Sequence, residues 1–185
     1  MTQAKTKMAK VWNYESRPTD KLAEKVAKDP DIVYTNPEMA KNLLSTIIFT
    51  KGDIVMEPCR GKGAFYDNFP DIVRKEYCEM NEGIDYLKYE GTVDITISNP
   101  PFVPRKLFWN FHLKAMETTR KEIYWLINMC SLNVFTPKRL GEMKDKGWFI
   151  NGFNIVSDKR WFGRYALVKI SKIDNDFFNW HMKSF

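Results

Sequence analysis

The sequence contains few of the residues that hold metals or form disulfide bonds. Its 185 residues include only two histidines and three cysteines, and the cysteines are odd in number and widely spaced. No Cys-x-x-Cys or paired-histidine spacing indicates a zinc site or a disulfide framework, so we predict no metal and a reducing, cytoplasmic setting. No apolar stretch approaches the ~18 residues that cross a bilayer, and the first residues lack the apolar segment of a secretory signal. These absences argue against a secreted or membrane-spanning protein.

The composition is that of a folded protein with a basic surface. Hydrophobic residues make up 44% of the chain and aromatic residues 15%, and the length suits one α/β domain but not two. The formal net charge of +6 favours a polyanionic partner, although a merely soluble basic surface explains the charge equally well. We expect a basic flexible arm over residues 1–18 and a single catalytic domain over residues 19–185.

The order of the predicted elements indicates an α/β fold with a mostly parallel sheet, helices on both faces and a C-terminal antiparallel hairpin. Helices are predicted over 19–28, from Asn36 to about Phe49, from near Gly63, over 105–118 and over 137–146, with one helical turn over 85–89. Strands are predicted over 53–57, 75–80, 93–98 and 122–129, and the hairpin over 153–156 and 164–170.

The tetrapeptide Asn99-Pro100-Pro101-Phe102 follows the apolar strand predicted over 93–98. Two consecutive prolines fix the backbone and supply no N–H groups, so this turn is stiff and presents acceptors only. The Asn99 side-chain oxygen and the Pro100 carbonyl can accept both hydrogens of a planar –NH2 group, while Phe102 offers a stacking surface. The N6 amine of adenine fits this arrangement. The simpler interpretation is a strand end followed by a turn.

A glycine pair follows the predicted strand over 53–57. Gly61 and Gly63 can take positive φ angles and let the backbone approach a ligand. The pattern is neither Gly-x-Gly-x-x-Gly nor a P-loop, because no Gly-Lys-Ser/Thr follows Arg60. The Glu57 carboxylate would repel a pyrophosphate and attract an ammonium or sulfonium group. Taken alone, such a pair is more often a structural turn.

Together, Glu57-Pro58, the two glycines of the loop and the later tetrapeptide resemble the amino-methylating S-adenosylmethionine-dependent methyltransferases, above all the DNA adenine-N6 methyltransferases. Their cofactor loop has the form Asp/Glu-Pro-x-x-Gly-x-Gly. The resemblance covers roughly residues 33–170. It implies a Rossmann-like class I methyltransferase fold, S-adenosyl-L-methionine as cofactor, and DNA with a flipped or single-stranded adenine as partner.

The resemblance also implies roles for single residues. Asn99 to Phe102 form the catalytic element, Glu79 accepts the ribose hydroxyls, and Asp85 receives the cofactor's adenine amine. Plain charged strand ends are equally good interpretations of the two acids. The segment 34–37 resembles an element that closes over the methionine tail. The residues assigned to cofactor binding are Tyr34, Thr35, Glu57, Pro58, Cys59, Gly61, Gly63, Phe65, Glu79, Asp85 and Asn99.

In the implied reaction the enzyme positions its substrates and needs no catalytic histidine, so His112 and His181 are assigned no role. Only 83 residues follow Phe102, which leaves no separate target-recognition domain and places sequence-selective DNA binding in doubt. The basic arm and four hairpin residues, Trp161, Phe162, Arg164 and Tyr165, could contact nucleic acid. Core packing is the better explanation for at least half of these aromatic residues. The alternatives are methylation of adenine in RNA, methylation of a protein glutamine amide, and an inactive methyltransferase-like scaffold subunit.

Overall fold

A computed structural model of the chain describes residues 34–102, 104–156 and 164–175. These residues form a six-stranded sheet in the order β2-β1-β3-β4-β6-β5. The strands are β1 (Ile54–Glu57), β2 (Arg74–Tyr77), β3 (Val93–Ser98), β4 (Thr119–Asn128), β5 (Phe149–Val156) and β6 (Tyr165–Ser171). The α-helices are α1 (Pro37–Leu44), α2 (Arg105–Thr118) and α3 (Pro137–Asp145).

The sheet combines a parallel part with an antiparallel hairpin. The first four strands pair in parallel, whereas β6 pairs antiparallel with β4 on one side and β5 on the other. Every residue of β3 is buried, as expected for a central strand covered on both faces. The predicted α/β architecture with its C-terminal hairpin is confirmed.

Apolar side chains cover both faces of the sheet. On one face, α2 packs Phe108 and Ala115 against Trp125 of β4 and Val168 of β6. On the other face, Leu43 and Leu44 of α1 pack with Val55 of β1 and Ile95 of β3. Burial of these two clusters supplies the main hydrophobic stabilisation of the fold.

Four predicted boundaries are wrong by three residues or more, and one of them is the start of β5, which lies at Phe149 rather than at residue 153. Helix α1 ends at Leu44 rather than Phe49, because Ser45 and Thr46 donate their hydroxyls to the carbonyls of Asn42 and Leu43, both at 2.7 Å, and such bonds compete with helix continuation. Strand β2 ends at Tyr77, and β4 already begins at Thr119, directly after α2.

The helix predicted from near Gly63 is absent. Turns and one 3-10 helix, Tyr66–Asn68, occupy this connection instead. Only six residues separate Gly63 from Pro70, which is too short for a stable α-helix, and the Asn68 side chain bonds back to the Ala64 carbonyl at 2.9 Å. The 3-10 turn Tyr66–Asn68 is therefore the only helical structure between β1 and β2.

Ion pairs connect the strands at the amino edge of the sheet. Asp94 of β3 accepts a hydrogen bond from the Ile54 N–H at 2.9 Å and pairs with the Arg120 guanidinium at 2.7 Å. Lys121 donates to Asp53 at 2.5 Å. The Arg120 hydrogen bond is the main reason that the pKa of Asp94 is lowered to about 2.

The arm predicted over residues 1–18 and the helix over 19–28 lie outside the described residues. No helix in the described ranges has both the length and the apolar character needed to span a membrane.

Candidate functional site

The predicted site residues lie where parallel strands end. Strands β1, β2 and β3 are neighbours and run in parallel, so their carboxyl ends meet at one edge of the sheet. Glu57 is the last residue of β1, Glu79 lies two residues after β2, and Asn99 directly follows β3. The fold thus brings three separately predicted positions to the same edge.

The glycine loop after β1 depends on positive φ angles. Gly61 has φ +53° and Gly63 has φ +79°. A Cβ atom at Gly63 would approach the Asp67 carboxylate to 2.6 Å, whereas one at Gly61 would lie 3.4 Å from the Tyr34 ring. The loop is closed by a hydrogen bond from the Gly63 N–H to the Arg60 carbonyl at 2.8 Å. Glycine is required at 63 for both backbone conformation and space.

Glu79 connects the glycine loop to the exit of β2. One oxygen of its carboxylate accepts the Gly61 N–H at 2.7 Å, and the other accepts the Asn81 N–H at 3.1 Å. The side chain is buried, and it also caps the 3-10 helix Met80–Glu82. A carboxylate has about four acceptor positions, so these two bonds leave capacity for ligand hydroxyls.

Arg60 forms a second connection, between the glycine loop and the segment after β2, that no sequence pattern predicted. Its guanidinium pairs with Glu82 and lies over the Tyr77 ring, 4.3 Å from the centroid. The Tyr77 hydroxyl donates to the same Glu82 carboxylate at 2.9 Å. These partners are 17 and 22 positions away along the chain, and no spacing rule pairs them. Arg60 therefore stabilises the loop together with Glu79.

Glu57 is buried beneath the loop. Its side chain accepts the Tyr66 N–H at 2.8 Å. Burial raises the pKa of Glu57 well above its ordinary value, and the nearby Asp67 carboxylate adds to the effect. A cationic ligand group beside it would favour the ionised form and offset this cost.

The segment before α1 contacts both the glycine loop and the tetrapeptide. The Tyr34 ring lies against Gly61, and the Lys62 ammonium lies 4.4 Å from the centroid of that ring. Its neighbour Thr35 accepts a hydrogen bond from the Asn99 side-chain nitrogen at 3.3 Å. Asn36 caps α1 by accepting the Glu38 N–H at 2.9 Å.

The tetrapeptide passes from the core toward the surface. Pro100 is buried, whereas Asn99, Pro101 and Phe102 are half-buried. The Phe102 ring meets the Phe108 ring of α2 edge to face, with centroids 6.1 Å apart. Phe102 also packs against both hydrophobic clusters of the core.

The remaining residues assigned to cofactor binding are buried, half-buried or engaged in capping a helix. The Phe65 ring is fully buried between α1 and the sheet, and Pro58 is also buried, so neither offers an exposed side chain to a ligand. Cys59 is half-buried, and burial raises the pKa of its thiol. Asp85 caps the 3-10 helix Tyr86–Lys88 by accepting the Leu87 N–H at 2.9 Å.

Tyr165 and His112, which were not assigned to the cofactor site, lie in the core. Tyr165 is only 5% exposed, so its side chain belongs to the core, as the alternative interpretation predicted, and is not available to contact nucleic acid. The alternation within β6 points Tyr165 toward the α1 face, which sequence alone did not reveal. His112 is fully buried and accepts a hydrogen bond from the Trp125 indole at 3.0 Å, and burial lowers its pKa to about 3. Trp161 and Phe162 lie outside the described residues.

No protein-family model and no curated protein matches the chain. Solved structures do resemble it. A protein from Pyrococcus horikoshii described as a candidate RNA methyltransferase is 16% identical, with a TM-score of 0.57 over 75% of this chain and 83% of its own.

Magnesium protoporphyrin IX methyltransferase from Synechocystis PCC 6803 is 10% identical, with a TM-score of 0.59 over 88% of this chain and 95% of its own. The 23S rRNA methyltransferase ErmE is 12% identical, with a TM-score of 0.56 over 80% of this chain and 72% of its own. At these identities the likeness concerns the fold. The described part of the chain therefore has the Rossmann-like fold of class I methyltransferases.

Proposed function

We propose that the protein transfers a methyl group from S-adenosyl-L-methionine to the exocyclic N6 amine of adenine in DNA. The observation that supports this most strongly is the position of Tyr34 and Thr35. One contacts the glycine loop at Gly61, and the other holds the side chain of Asn99. The predicted cofactor loop and the predicted acceptor element are therefore adjacent.

The residues of the loop fit the cofactor. Two glycines with positive φ bring the backbone close to any ligand above them, and Glu79 has oxygens suited to ribose hydroxyls. Buried Glu57 suits the cationic methionine end, since burial of its carboxylate strengthens electrostatic attraction. When bound, S-adenosyl-L-methionine supplies an electrophilic methyl group on a sulfonium.

In the proposed reaction, the role of the protein is to orient the amine. Thr35 accepts from the Asn99 side-chain nitrogen, which fixes the rotation of the amide and the direction of its oxygen. That oxygen and the Pro100 carbonyl would accept the two amine hydrogens, draw the nitrogen toward tetrahedral geometry and expose its lone pair. The nitrogen would form its new bond to the methyl carbon as the carbon–sulfur bond breaks and the neutral thioether, S-adenosyl-L-homocysteine, leaves. The cationic methylated nitrogen would then lose one proton to water, so positioning supplies the catalysis and no general base is needed for the attack.

Phe102 completes the proposed acceptor site. Its ring is half-buried and is supported by Phe108, so it can stack on a flat base without moving. A base within a duplex cannot reach such a pocket, and the target adenine is therefore flipped out or already single-stranded.

The function is tested by incubating the protein with labelled S-adenosyl-L-methionine and separate pools of DNA, RNA and protein, followed by nucleoside mass spectrometry. N6-methyladenine in DNA supports the proposal. Label in RNA, an acceptor for which two of the structural neighbours are named, or label in protein glutamine would overturn the DNA assignment. Cofactor binding without transfer to any pool would indicate an inactive scaffold.

A substitution at Asn99 isolates the chemistry. We expect Asn99→Ala to reduce methyl transfer by roughly 10²–10³-fold, the typical effect of removing one preorganised hydrogen-bonding group. Cofactor affinity, measured by calorimetry, should stay within about threefold, corresponding to less than ~1 kcal/mol. Thr35→Val, which removes only the hydroxyl that orients Asn99, should give a smaller loss. Wild-type turnover in Asn99→Ala would refute the role of Asn99.

A further inference from the structure

Acidic and basic residues are divided unequally between the two halves of the carboxyl edge. The segment 58–92, which follows β1 and includes β2, contains seven acidic and five basic residues. The connections after β3 and β4, residues 99–118 and 129–145, contain six basic and three acidic residues. The three acidic residues lie in the last turns of α2 and α3. The half that holds the glycine loop is thus acidic, and the half that holds the tetrapeptide is basic.

Three cations of the basic half are exposed and lack an acidic partner. Arg105 and Lys106 lie in the first turn of α2, and Lys138 lies in the first turn of α3. None of the three forms a salt bridge with a residue of the described ranges. Positive charge in a first turn opposes the helix dipole, so helix stability does not account for these residues.

A contact between α2 and α3 brings the beginnings of the two helices together. The Arg139 guanidinium of α3 lies 4.6 Å from the centroid of the Trp109 ring in α2. Trp109 is one turn beyond Arg105, and the adjacent Phe108 contacts Phe102. The first turn of α3 therefore lies near the beginning of α2, which closely follows the tetrapeptide.

We propose that Arg105, Lys106 and Lys138 bind the phosphodiester backbone of the target strand on either side of the methylated base. The inference rests on the proposed function and adds the path of the strand. Repeated negative charge favours a surface with an excess of cations, whereas the acidic half would repel it. The strand therefore crosses the α2 and α3 side, and the glycine loop remains with the cationic cofactor.

The test compares charge-neutral variants in binding to fluorescent DNA and RNA oligonucleotides of one adenine-containing sequence. The variants are Arg105→Gln/Lys106→Gln and Lys138→Gln. The matched control is Lys51→Gln/Lys144→Gln, which removes two exposed cations, one from the turn before β1 and one from the opposite end of α3. Cofactor binding and thermal unfolding confirm that each variant is folded.

We expect the control to bind like the wild type. Each phosphate contact that is lost should make the negative slope of log affinity against log salt shallower by about 0.7–0.9. It should also weaken binding roughly fivefold to tenfold at 0.1 M salt. Losses of this size in the variants, with either oligonucleotide, support the inference. The oligonucleotide that the wild type binds more tightly identifies which nucleic acid supplies the phosphates. Equal losses in the control, unchanged slopes in the variants, or equally effective competition by poly-glutamate would overturn it.

Failure of this inference is distinguishable from failure of the proposed function. The binding experiment does not depend on methyl transfer. If the wild type transfers no methyl group but the variants bind nucleic acid more weakly than the wild type, only the proposed function is refuted. Conversely, methylation of DNA with unchanged binding in the variants would refute only the strand path.

Discussion

Two buried carboxylates at opposite edges of the sheet have opposite pKa shifts. Asp94, at the amino edge, has its pKa lowered to about 2 by Arg120, whereas burial raises the pKa of Glu57 at the carboxyl edge. Asp94 is paired with a cation, and its charge stabilises the fold. Glu57 accepts a backbone N–H but is destabilised as a carboxylate. The amino edge is therefore built for stability, and the carboxyl edge retains unfavourable groups that a ligand can satisfy.

The largest expected effect comes from the amino edge. Asp94→Ala removes the bonds to Arg120 and to the Ile54 N–H, so the free energy of unfolding should fall by about 3 kcal/mol at neutral pH. Because the pKa is lowered in the folded protein, this contribution is present above pH 4 and disappears as the pH falls toward about 2. Urea unfolding of the wild type and the variant at several pH values measures both the loss in the free energy of unfolding and its pH dependence. An equal loss at pH 2 and pH 7 would contradict the electrostatic explanation.

The second prediction compares two glycines with similar backbone angles. Gly63 has φ +79° and Gly147, after α3, has φ +72°, but a Cβ atom would meet neighbouring atoms only at Gly63. We expect Gly147→Ala to cost about 1 kcal/mol through strain alone and Gly63→Ala about 2 kcal/mol, because its methyl group would displace Asp67. Only Gly63→Ala should weaken cofactor binding in calorimetry. Equal effects of both substitutions would show that the space around Gly63 is unimportant.

The smallest effect is expected to have the opposite sign. Glu57→Gln preserves an acceptor for the Tyr66 N–H and removes the buried charge. A raised folded pKa means that stability is lost as the pH rises through it, so the variant should gain about 1 kcal/mol at neutral pH, a shift of ~2–4 °C in Tm. Affinity for S-adenosyl-L-methionine should fall roughly tenfold. If the variant is less stable than the wild type, the Glu57 charge does not destabilise the fold, and the proposed difference between Glu57 and Asp94 is wrong.

The sequence predicted the parts of the fold that depend on local pattern. The apolar run of β3, the proline turn after it and the periodicity of α2 correspond to elements in the structure at the expected residues. Asn36 and Pro37 likewise begin α1, since a side-chain cap and a proline in the first turn are local signals. The glycine loop follows β1, as its spacing indicates.

The parts that sequence missed depend on distant contacts. Phe65 belongs to the core because α1 and β3 cover it, and no neighbour in the sequence shows this. The Arg60, Tyr77 and Glu82 network joins two separate connections. The missing helix after Gly63 reflects how little chain is available before Pro70, although a strand followed by a glycine loop had led us to expect a helix there.

Tyr34 and Thr35 have a consequence for the timing of catalysis. Adjacent residues on one short segment cannot move independently, and here one rests on the glycine loop while the next holds the Asn99 amide. Any ligand that displaces this dipeptide from the loop also rotates the group proposed to receive the amine. Such mechanical coupling would make the arrival of the methyl donor a prerequisite for correct alignment of the acceptor, and so would favour an ordered sequence of binding.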